Sequence, residues 1–390
     1  MIRKGIFWLH LICGIAAGVV ILIMSVTGVI LTYERQILAW EDRAYFAEPA
    51  LGQSKLSIET LVEGATSADF TPESVIVSSD PRAPVTLRQG RSQSVYLNPY
   101  TGEEYTPHSP ALDDFFSAVT AWHRWFNVSG EERANARAIT GAANLMFLFL
   151  IISGIYLWLP AVYRWSTMRL RLWFHPNARS GQARDFNWHH VFGFWAAIPL
   201  AVIVATATVF NYSWANNLVY RLAGEEPPQR GQSAPVEQDV EALVVPAQAE
   251  RMALDALLLR AQEQLADWQT ISLNLPGTDA AQVDFSIDEG NGGQPQRRHA
   301  LQLNAYTGAT IAWIPFNSQS AGRQARSWVR FLHTGEALGF FGQTIAGLVS
   351  FLSVLMVWTG FALALRRFSR WVQRLRRNRS RESDFASVSD

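Results

Sequence analysis

Hydrophobic residues are gathered into four long runs that contain no Asp, Glu, Lys or Arg. The runs cover residues 5–33, 138–163, 186–220 and 337–365, and they are 29, 26, 35 and 29 residues long. A helix crosses the hydrocarbon core of a bilayer in about 20 residues, so each run is long enough to span a membrane. The pattern predicts an α-helical integral membrane protein with a four-span core in contact with the lipid bilayer.

The charges between the runs predict the orientation of the spans. The chain has no net charge, but the N-terminus, residues 164–185 and the tail 366–390 together carry 15 basic and four acidic residues. Because basic residues are enriched in cytosolic segments, we expect both termini in the cytosol and residues 34–137 and 221–336 outside. The basic tail is expected to contact anionic lipid, not nucleic acid. The first run lacks the short core and cleavage site of a signal peptide and is expected to remain as an anchor.

Each of the two outer segments shows a helical pattern followed by short alternating runs that are typical of strands. In the first segment the helix is predicted at 56–65 and the strands at 74–77, 85–88 and 94–97. In the second the helix is predicted at 252–265 and the strands at 270–275, 282–287 and 299–303. Both series end in Asn-x-Tyr-Thr-Gly, at 98–102 and 304–308. We therefore expect two small α+β units, within 34–112 and 221–320, the second preceded by a Pro- and Gly-rich linker at 224–235.

The doubling extends into the hydrophobic runs. His10 and His189 are each followed by Gly at +4, Thr at +17 and Tyr at +23, which are Gly14, Thr27 and Tyr33 in one run and Gly193, Thr206 and Tyr212 in the other. The second and fourth runs each contain two glycines 13 positions apart, Gly141 with Gly154 and Gly347 with Gly360. Self-similarity at matched positions indicates two tandem repeats of one structural plan.

The two repeats place four histidines at equivalent positions, two near the inner side of the membrane and two near the outer side. His10 and His189 lie near the inner ends of spans one and three, whereas His123 and His333 lie in the outer segments 113–137 and 321–336, just before spans two and four. An unpaired polar ring in an apolar span is costly, so such residues are functional candidates. The only cysteine, Cys13, excludes an intrachain disulfide and a Cys-ligated zinc or four-Cys iron–sulfur site.

Imidazole suits iron, and one histidine from each repeat is most naturally an axial pair for a b-type haem in an apolar slot between helices. Alternatives remain open from the sequence. Each intramembrane histidine could instead be an interfacial residue, and His123 and His333 could lie on surface helices. His190 could replace His189 as the ligand or be its neighbour. Gly14 and Gly193 are expected to leave room for the edge of the macrocycle.

On these residues the sequence resembles the PepSY-associated transmembrane family, which includes bacterial iron-regulated inner-membrane proteins and periplasmic ferrisiderophore reductases. Besides the His-x3-Gly starts and the two Asn-x-Tyr-Thr-Gly turns, the residues that carry the resemblance are 27–28, 122–125, 153–158 and 332–335, and the resemblance extends over nearly the whole chain, from about residue 6 to residue 367. It implies a four-span core that carries two b haems on histidines, PepSY-like units in the periplasm, and electron delivery across the inner membrane. Span three departs from the family motif at one position, because Ala207 stands at the position equivalent to Gly28 of span one.

Two haems suit the thickness of the membrane, since a hydrocarbon core of about 30 Å is too wide for one efficient electron step. We expect an inner haem on His10 and His189 and an outer haem on His123 and His333. The donor is expected to be a quinol or a cytosolic flavin reductase, and the acceptor a ferric siderophore that releases Fe(II) on reduction. The sequence indicates no catalytic residue beyond the haem ligands.

Two other classes of function compete with this hypothesis. A PepSY-domain regulator or peptidase-inhibitor and binding protein, anchored in the membrane without redox activity, would not need matched histidines. A transporter often contains internal repeats, but these two repeats are parallel in topology and the four runs contain no Asp, Glu, Lys or Arg to couple an ion. The matched histidines favour the oxidoreductase.

Overall fold

The structure, a computed structural model, describes residues 1–90, 93–106, 110–160, 163–228, 239, 242, 244–245, 249–277 and 280–388. The helices are α1 (Ile2–Leu31), α2 (Glu34–Asp42), α3 (Ile58–Ala65), α4 (Pro110–Trp125), α5 (Glu132–Trp158), α6 (Trp165–Leu172), α7 (Gly181–Asn211), α8 (Ser213–Leu222), α9 (Leu254–Gln264), α10 (Ala321–Thr334) and α11 (Gly339–Val388). The strands are β1 (Ser74–Ser78), β2 (Val85–Gln89), β3 (Gln93–Leu97), β4 (Glu104–Tyr105), β5 (Thr270–Asn274), β6 (Gln282–Asp288), β7 (Arg298–Asn304) and β8 (Thr310–Ile314).

Four helices of the described chain are long and apolar enough to cross a membrane, and each covers most of one predicted span: α1, α5, α7 and α11. α1 packs against α5 and α11, and α7 packs against the same two helices, so α1 and α7 lie diagonally across the bundle. Small residues allow the helices to approach closely, as at Gly18 beside Phe361 and Gly347 beside Thr32. The bundle core contains Ile151, Leu200 and Val349.

The two predicted α+β units share a single sheet. All eight strands are antiparallel neighbours in the order β4-β3-β2-β1-β5-β6-β7-β8. The halves meet where β1 pairs with β5, from Ser74 opposite Asn274 to Ser78 opposite Thr270. α3 and α9 contact each other and contribute to one hydrophobic core with the strands, which includes Leu87, Leu257 and Ile271. The sequence pattern predicted the helices and six of the strands but neither the shared sheet nor β4 and β8.

The Asn-x-Tyr-Thr-Gly motifs form two equivalent turns. The Asn98 side-chain oxygen accepts hydrogen bonds from the backbone N–H groups of residues 100 and 101, at 2.9 and 3.3 Å. Asn304 does the same for residues 306 and 307, at 2.8 and 3.1 Å. The final glycines, Gly102 and Gly308, have φ angles of 74° and 68°, which explains why glycine ends each motif. The turns reverse the chain into β4 and β8.

The third hydrophobic run does not form one helix, which corrects the predicted span 186–220. α7 begins earlier, at Gly181, where the Ser180 hydroxyl accepts from the Ala183 N–H at 3.2 Å. It ends at Asn211 because Tyr212 is extended, with φ −123° and ψ 125°, and α8 follows as a separate helix. Of the predicted linker, residues 229–235 lie outside the described residues.

The bundle has two distinct ends. The sheet, α4 and α10 are connected to one end, which we call the sheet side. At the other end, the basic side, the Arg3 guanidinium donates to the carbonyl oxygens of Leu157 and Leu159 at 2.8 and 2.7 Å. At that end Arg366 also donates to Asp185 at 2.6 Å. The Arg3 bonds join the beginning of α1 to the end of α5. The bond between Arg366 and Asp185 joins the beginning of α7 to α11.

Candidate metal centres

His123 and His333 form a facing pair on the sheet side. Each lies in the last turn of its helix, α4 packing on α1 and α10 packing on α7. Their ring centroids are 6.3 Å apart, with 65° between the ring planes. A metal bound about 2 Å from one nitrogen of each imidazole would separate the ring centres by about 6 Å. The spacing of the two rings therefore suits one metal ion between them.

His10 and His189 form the second pair, nearer the basic side. They lie on the diagonal helices α1 and α7 and are close enough to interact electrostatically. Each ring lies against a glycine of a neighbouring helix. The His10 Cε1 atom is 3.4 Å from the position of a Cβ atom at Gly154, and the His189 Cε1 atom is 3.6 Å from that at Gly360. Small residues on α5 and α11 thus leave room for the two rings.

All four rings make the same contact through Nδ1, to a hydroxyl oxygen on a span of their own half of the chain. The pairs are His10 with Ser153 at 2.8 Å, His123 with Thr27 at 2.9 Å, His189 with Thr359 at 3.0 Å and His333 with Thr206 at 3.2 Å. The Nδ1 atom of His333 also lies 2.9 Å from the Ile203 carbonyl oxygen.

The hydroxyl groups determine the tautomer of each ring. Each one donates to the carbonyl oxygen one turn earlier in its own helix: Ser153 to Phe149 at 2.7 Å, Thr27 to Ile23 at 2.6 Å, Thr359 to Leu355 at 2.9 Å and Thr206 to Val202 at 2.7 Å. A hydroxyl has one proton to donate, so towards the ring it can only accept. We therefore assign the proton to Nδ1, which leaves the Nε2 lone pair of every ring available to a metal.

The sheet-side rings are also held in the neutral form that metal binding needs. Removal from water, reinforced by the neighbouring His333, lowers the pKa of His123 to about 4. Burial lowers the pKa of His333 as well. Both rings are therefore neutral near pH 7 and present an unprotonated nitrogen.

The sequence matches the family described as the PepSY-associated TM region over residues 7–270 and 236–387. The chain belongs to this family. The family membership predicted from the motifs is confirmed, and the matched ranges include nearly all of the four spans and all four paired histidines. No protein of curated function matches the sequence.

In this PepSY-associated protein, each pair supplies two imidazole ligands, so the other ligands of a bound metal must come from a group that is not a side chain of the pair. Within the residues that the structure describes, no group of three or more His, Cys, Asp or Glu side chains is placed to hold a metal ion. Paired imidazoles between apolar helices fit a haem, because the macrocycle supplies four nitrogen ligands and needs two axial ones. The donor set of both pairs therefore fits a bis-histidine b haem.

His190 differs from the four paired histidines. Its Nδ1 atom is 2.8 Å from the carbonyl oxygen of Phe186 in the same helix, and its ring lies against the Phe186 ring with centroids 4.1 Å apart. The contact to a hydroxyl of a neighbouring span belongs to His189 instead. His189, and not His190, therefore shares the geometry of the other paired histidines.

Three glycines border the histidine rings: Gly28, Gly154 and Gly360. A Cβ atom at Gly14 would lie 3.9 Å from Leu150, and one at Gly193 would lie 3.7 Å from Met356, which are ordinary van der Waals distances. That Gly14 and Gly193 leave room for a macrocycle stays a prediction. Each of the three glycines beside the rings follows directly after a bonded hydroxyl residue, and Ala207 takes this place after Thr206. The sequence analysis did not identify Ser153 and Thr359 as site residues. Both precede a glycine that is matched between the repeats, Gly154 and Gly360, and this shared position could have identified them.

Proposed function

We propose that the protein is a transmembrane di-haem b oxidoreductase that reduces a ferric siderophore, or another ferric complex, on the sheet side. One observation carries the proposal: four histidines form two pairs at two depths, His123 with His333 and His10 with His189, and each has its Nδ1 within hydrogen-bond distance of a hydroxyl. His10 and His189 would hold one haem, and His123 and His333 the other. When bound, such haems supply reversible one-electron chemistry.

The side chains of the protein orient and shield these sites. The four hydroxyls hold the imidazole rings through Nδ1, which leaves Nε2 free to bind the haem iron in this proposal. Apolar residues of the bundle, among them Ile151, Leu200 and Val204, exclude water between the two levels. In this proposal the chain consists of two tandem repeats, and each site takes one histidine from each repeat.

The distribution of charge supports an orientation for the proposed reductase. The basic side would face the cytosol of a bacterial inner membrane and the sheet side the periplasm, where the two halves of the sheet would be PepSY-like units. Electrons would enter from a quinol or a cytosolic flavin reductase and leave to the ferric complex. Fe(II) is larger and less highly charged than Fe(III), so one electron weakens binding by hard oxygen ligands and releases the iron.

The visible spectrum of the detergent-purified protein, before and after dithionite, tests the proposal together with a pyridine haemochrome count. We expect two b haems per chain, and the loss of one in each of the variants His10→Ala, His189→Ala, His123→Ala and His333→Ala. His190→Ala is the matched control and should keep both. A colourless preparation from haem-replete cells would contradict the redox function and favour a PepSY regulator or binding protein.

A further inference from the structure

A cavity of about 400 Å³ lies on the sheet side, between α8, α10 and the last two strands of the sheet. Its walls include Tyr220 from α8, Ala300 and Ile314 from the sheet, and Arg323, Arg326 and Ser327 from α10. Small-molecule sites occupy about 300–1,000 Å³, so the cavity is large enough for a compact ligand. The proposed function has not used this cavity.

Two half-buried guanidinium groups give the cavity its charge. Within the described chain neither Arg323 nor Arg326 forms an ion pair with a carboxylate. Arg326 is held by a neutral partner, since its Nε donates to the Asn216 side-chain oxygen at 2.6 Å. The Glu225 carboxylate is engaged at the start of α10, where it accepts from the Gly322 N–H at 3.0 Å and the Ser320 hydroxyl at 2.7 Å. Positioned but unneutralised arginines favour an anionic ligand.

One aromatic ring connects the cavity to the sheet-side histidine pair. The Arg326 guanidinium carbon lies 5.7 Å from the centroid of the Phe210 ring, and that ring lies 5.5 Å from the ring of His333. Arg137 donates to the Phe210 carbonyl oxygen at 2.9 Å and adds positive charge beside this connection. A ligand in the cavity would therefore be close to His333.

We propose that this cavity binds the ferric substrate and selects an anionic chelate, with its carboxylate or catecholate oxygens at Arg323 and Arg326. The inference rests on the proposed reductase function and adds the place and the charge class of its substrate. One electron reduces the bound Fe(III) to Fe(II). The electron would come from a b-type haem held by His123 and His333, which would lose one electron as the iron gains one, and no proton or leaving group would move.

Binding of gallium(III) citrate to the full-length protein in detergent tests this inference, because gallium(III) resists reduction and binding is measured apart from electron transfer. Calorimetry should show saturable binding that weakens as salt is added. Loss of a charged hydrogen-bond donor should weaken it about tenfold or more in Arg323→Gln and in Arg326→Gln. Arg260→Gln is the control, since Arg260 lies on α9 and is paired with Glu263 at 3.3 Å. A cationic gallium trihydroxamate should bind at least about tenfold more weakly than the citrate complex.

Haem propionates present the same carboxylate chemistry, so haem content is measured on the same samples. The inference is overturned if the wild type does not bind gallium citrate, or if both arginine variants bind it as the wild type does. It is also overturned if the variants lose haem while citrate binding is unchanged, because the arginines would then serve a propionate. If Arg326→Gln does not fold, the affinity of Arg323→Gln for gallium citrate and the salt dependence of binding to the wild type still test the inference. A colourless protein that binds gallium citrate would contradict the reductase but not the anion site.

Discussion

Four hydroxyl groups fix the orientation of four imidazole rings in this protein. Each hydroxyl gives its proton to a carbonyl oxygen of its own helix and accepts the Nδ1 proton of the ring, as Thr359 does between Leu355 and His189. The α-helical geometry makes this arrangement repeatable, because the acceptor carbonyl always lies one turn earlier. Hydrogen bonds in a poorly solvated interior are strong and directional, so the rings are oriented before any metal binds.

Thr359→Val should therefore weaken haem binding at the His10–His189 site while leaving the other site intact. The variant keeps the shape of the side chain but removes the hydroxyl oxygen that accepts the Nδ1–H of His189. Loss of such an orienting partner typically costs about 10–100-fold in metal affinity. The measurement is the haem-to-protein ratio during titration with an apoprotein that competes for haem, together with the midpoint potential of each haem.

Thr344→Val is the control for Thr359→Val on the same helix. Thr344 also donates to the carbonyl one turn earlier, that of Phe340, at 2.8 Å, but its other contact is the Tyr33 hydroxyl at 2.7 Å. Thr359→Ser should restore the wild-type affinity and potential, since serine keeps the hydroxyl. Equal haem retention and equal potentials in Thr359→Val and the wild type would show that the hydroxyl does not position His189.

At the scale of elements, the pairing of β1 with β5 makes one sheet from two halves. Five residue pairs join the two strands, from Ser74–Asn274 to Ser78–Thr270. The same strands carry core residues, and Val75, Ile271 and Leu273 are almost fully buried. α3 and α9 add reciprocal bonds, because Asp255 accepts from the Ile58 N–H and Glu59 from the Leu254 N–H. The two halves are therefore expected to unfold together.

Ser272→Pro tests whether the sheet unfolds as a unit. Ser272 lies in the centre of the sheet, opposite Ile76 on one side and Ser286 on the other. Proline removes a ladder N–H and is excluded from central strands, so we expect both halves of the sheet to lose protection from hydrogen exchange together. Ser272→Ala is the control and should behave as the wild type. If β2 and β3 stayed protected while β6 and β7 opened, the two halves would be independent.

Over the whole molecule, each proposed site exists only when the two halves of the chain pack together. Within a half, the histidine and its hydroxyl partner belong to neighbouring helices, as His10 and Ser153 do. The two rings of a pair come from different halves, as His123 and His333 do. Contacts that close the bundle therefore support both sites without touching either one.

Asp185 is such a contact on the basic side. Its carboxylate is 1% exposed and accepts hydrogen bonds from Arg184 at 2.9 Å and Arg366 at 2.6 Å, which ties the start of α7 to α11. Asp185→Asn should destabilise the protein by about 1–3 kcal/mol, because the arginines lose their anionic partner but remain partly hydrated. The measurement is the thermal unfolding midpoint in detergent.

Asp80→Asn provides the comparison for Asp185→Asn, since Asp80 and Arg82 form a solvent-exposed pair at 3.1 Å. Exposed pairs contribute little, so its midpoint should change much less than that of Asp185→Asn. Equal midpoints for Asp185→Asn and the wild type would mean that this ion pair does not hold the bundle closed.

The sequence alone predicted what depends on neighbouring residues. Charge-free runs gave the four spans, alternation gave six strands, and spacing selected the four histidines that the structure brings into pairs. The same local signals failed where distant residues intervene. The run 186–220 did not show that the helix ends before Tyr212, and the sequence did not reveal that Gly154 and Gly360 border the histidine rings.

Hydrophobic periodicity, charge distribution and turn chemistry act over a few residues, so the sequence by itself determined the number of spans, six of the eight strands, the two Asn-x-Tyr-Thr-Gly turns and the four histidines. The pairing of His123 with His333, the β1–β5 junction and the cavity beside Arg326 join residues far apart along the chain. No local pattern encodes such contacts. Only the packing of the two halves, driven by burial of apolar surface and satisfaction of backbone hydrogen bonds, decided them.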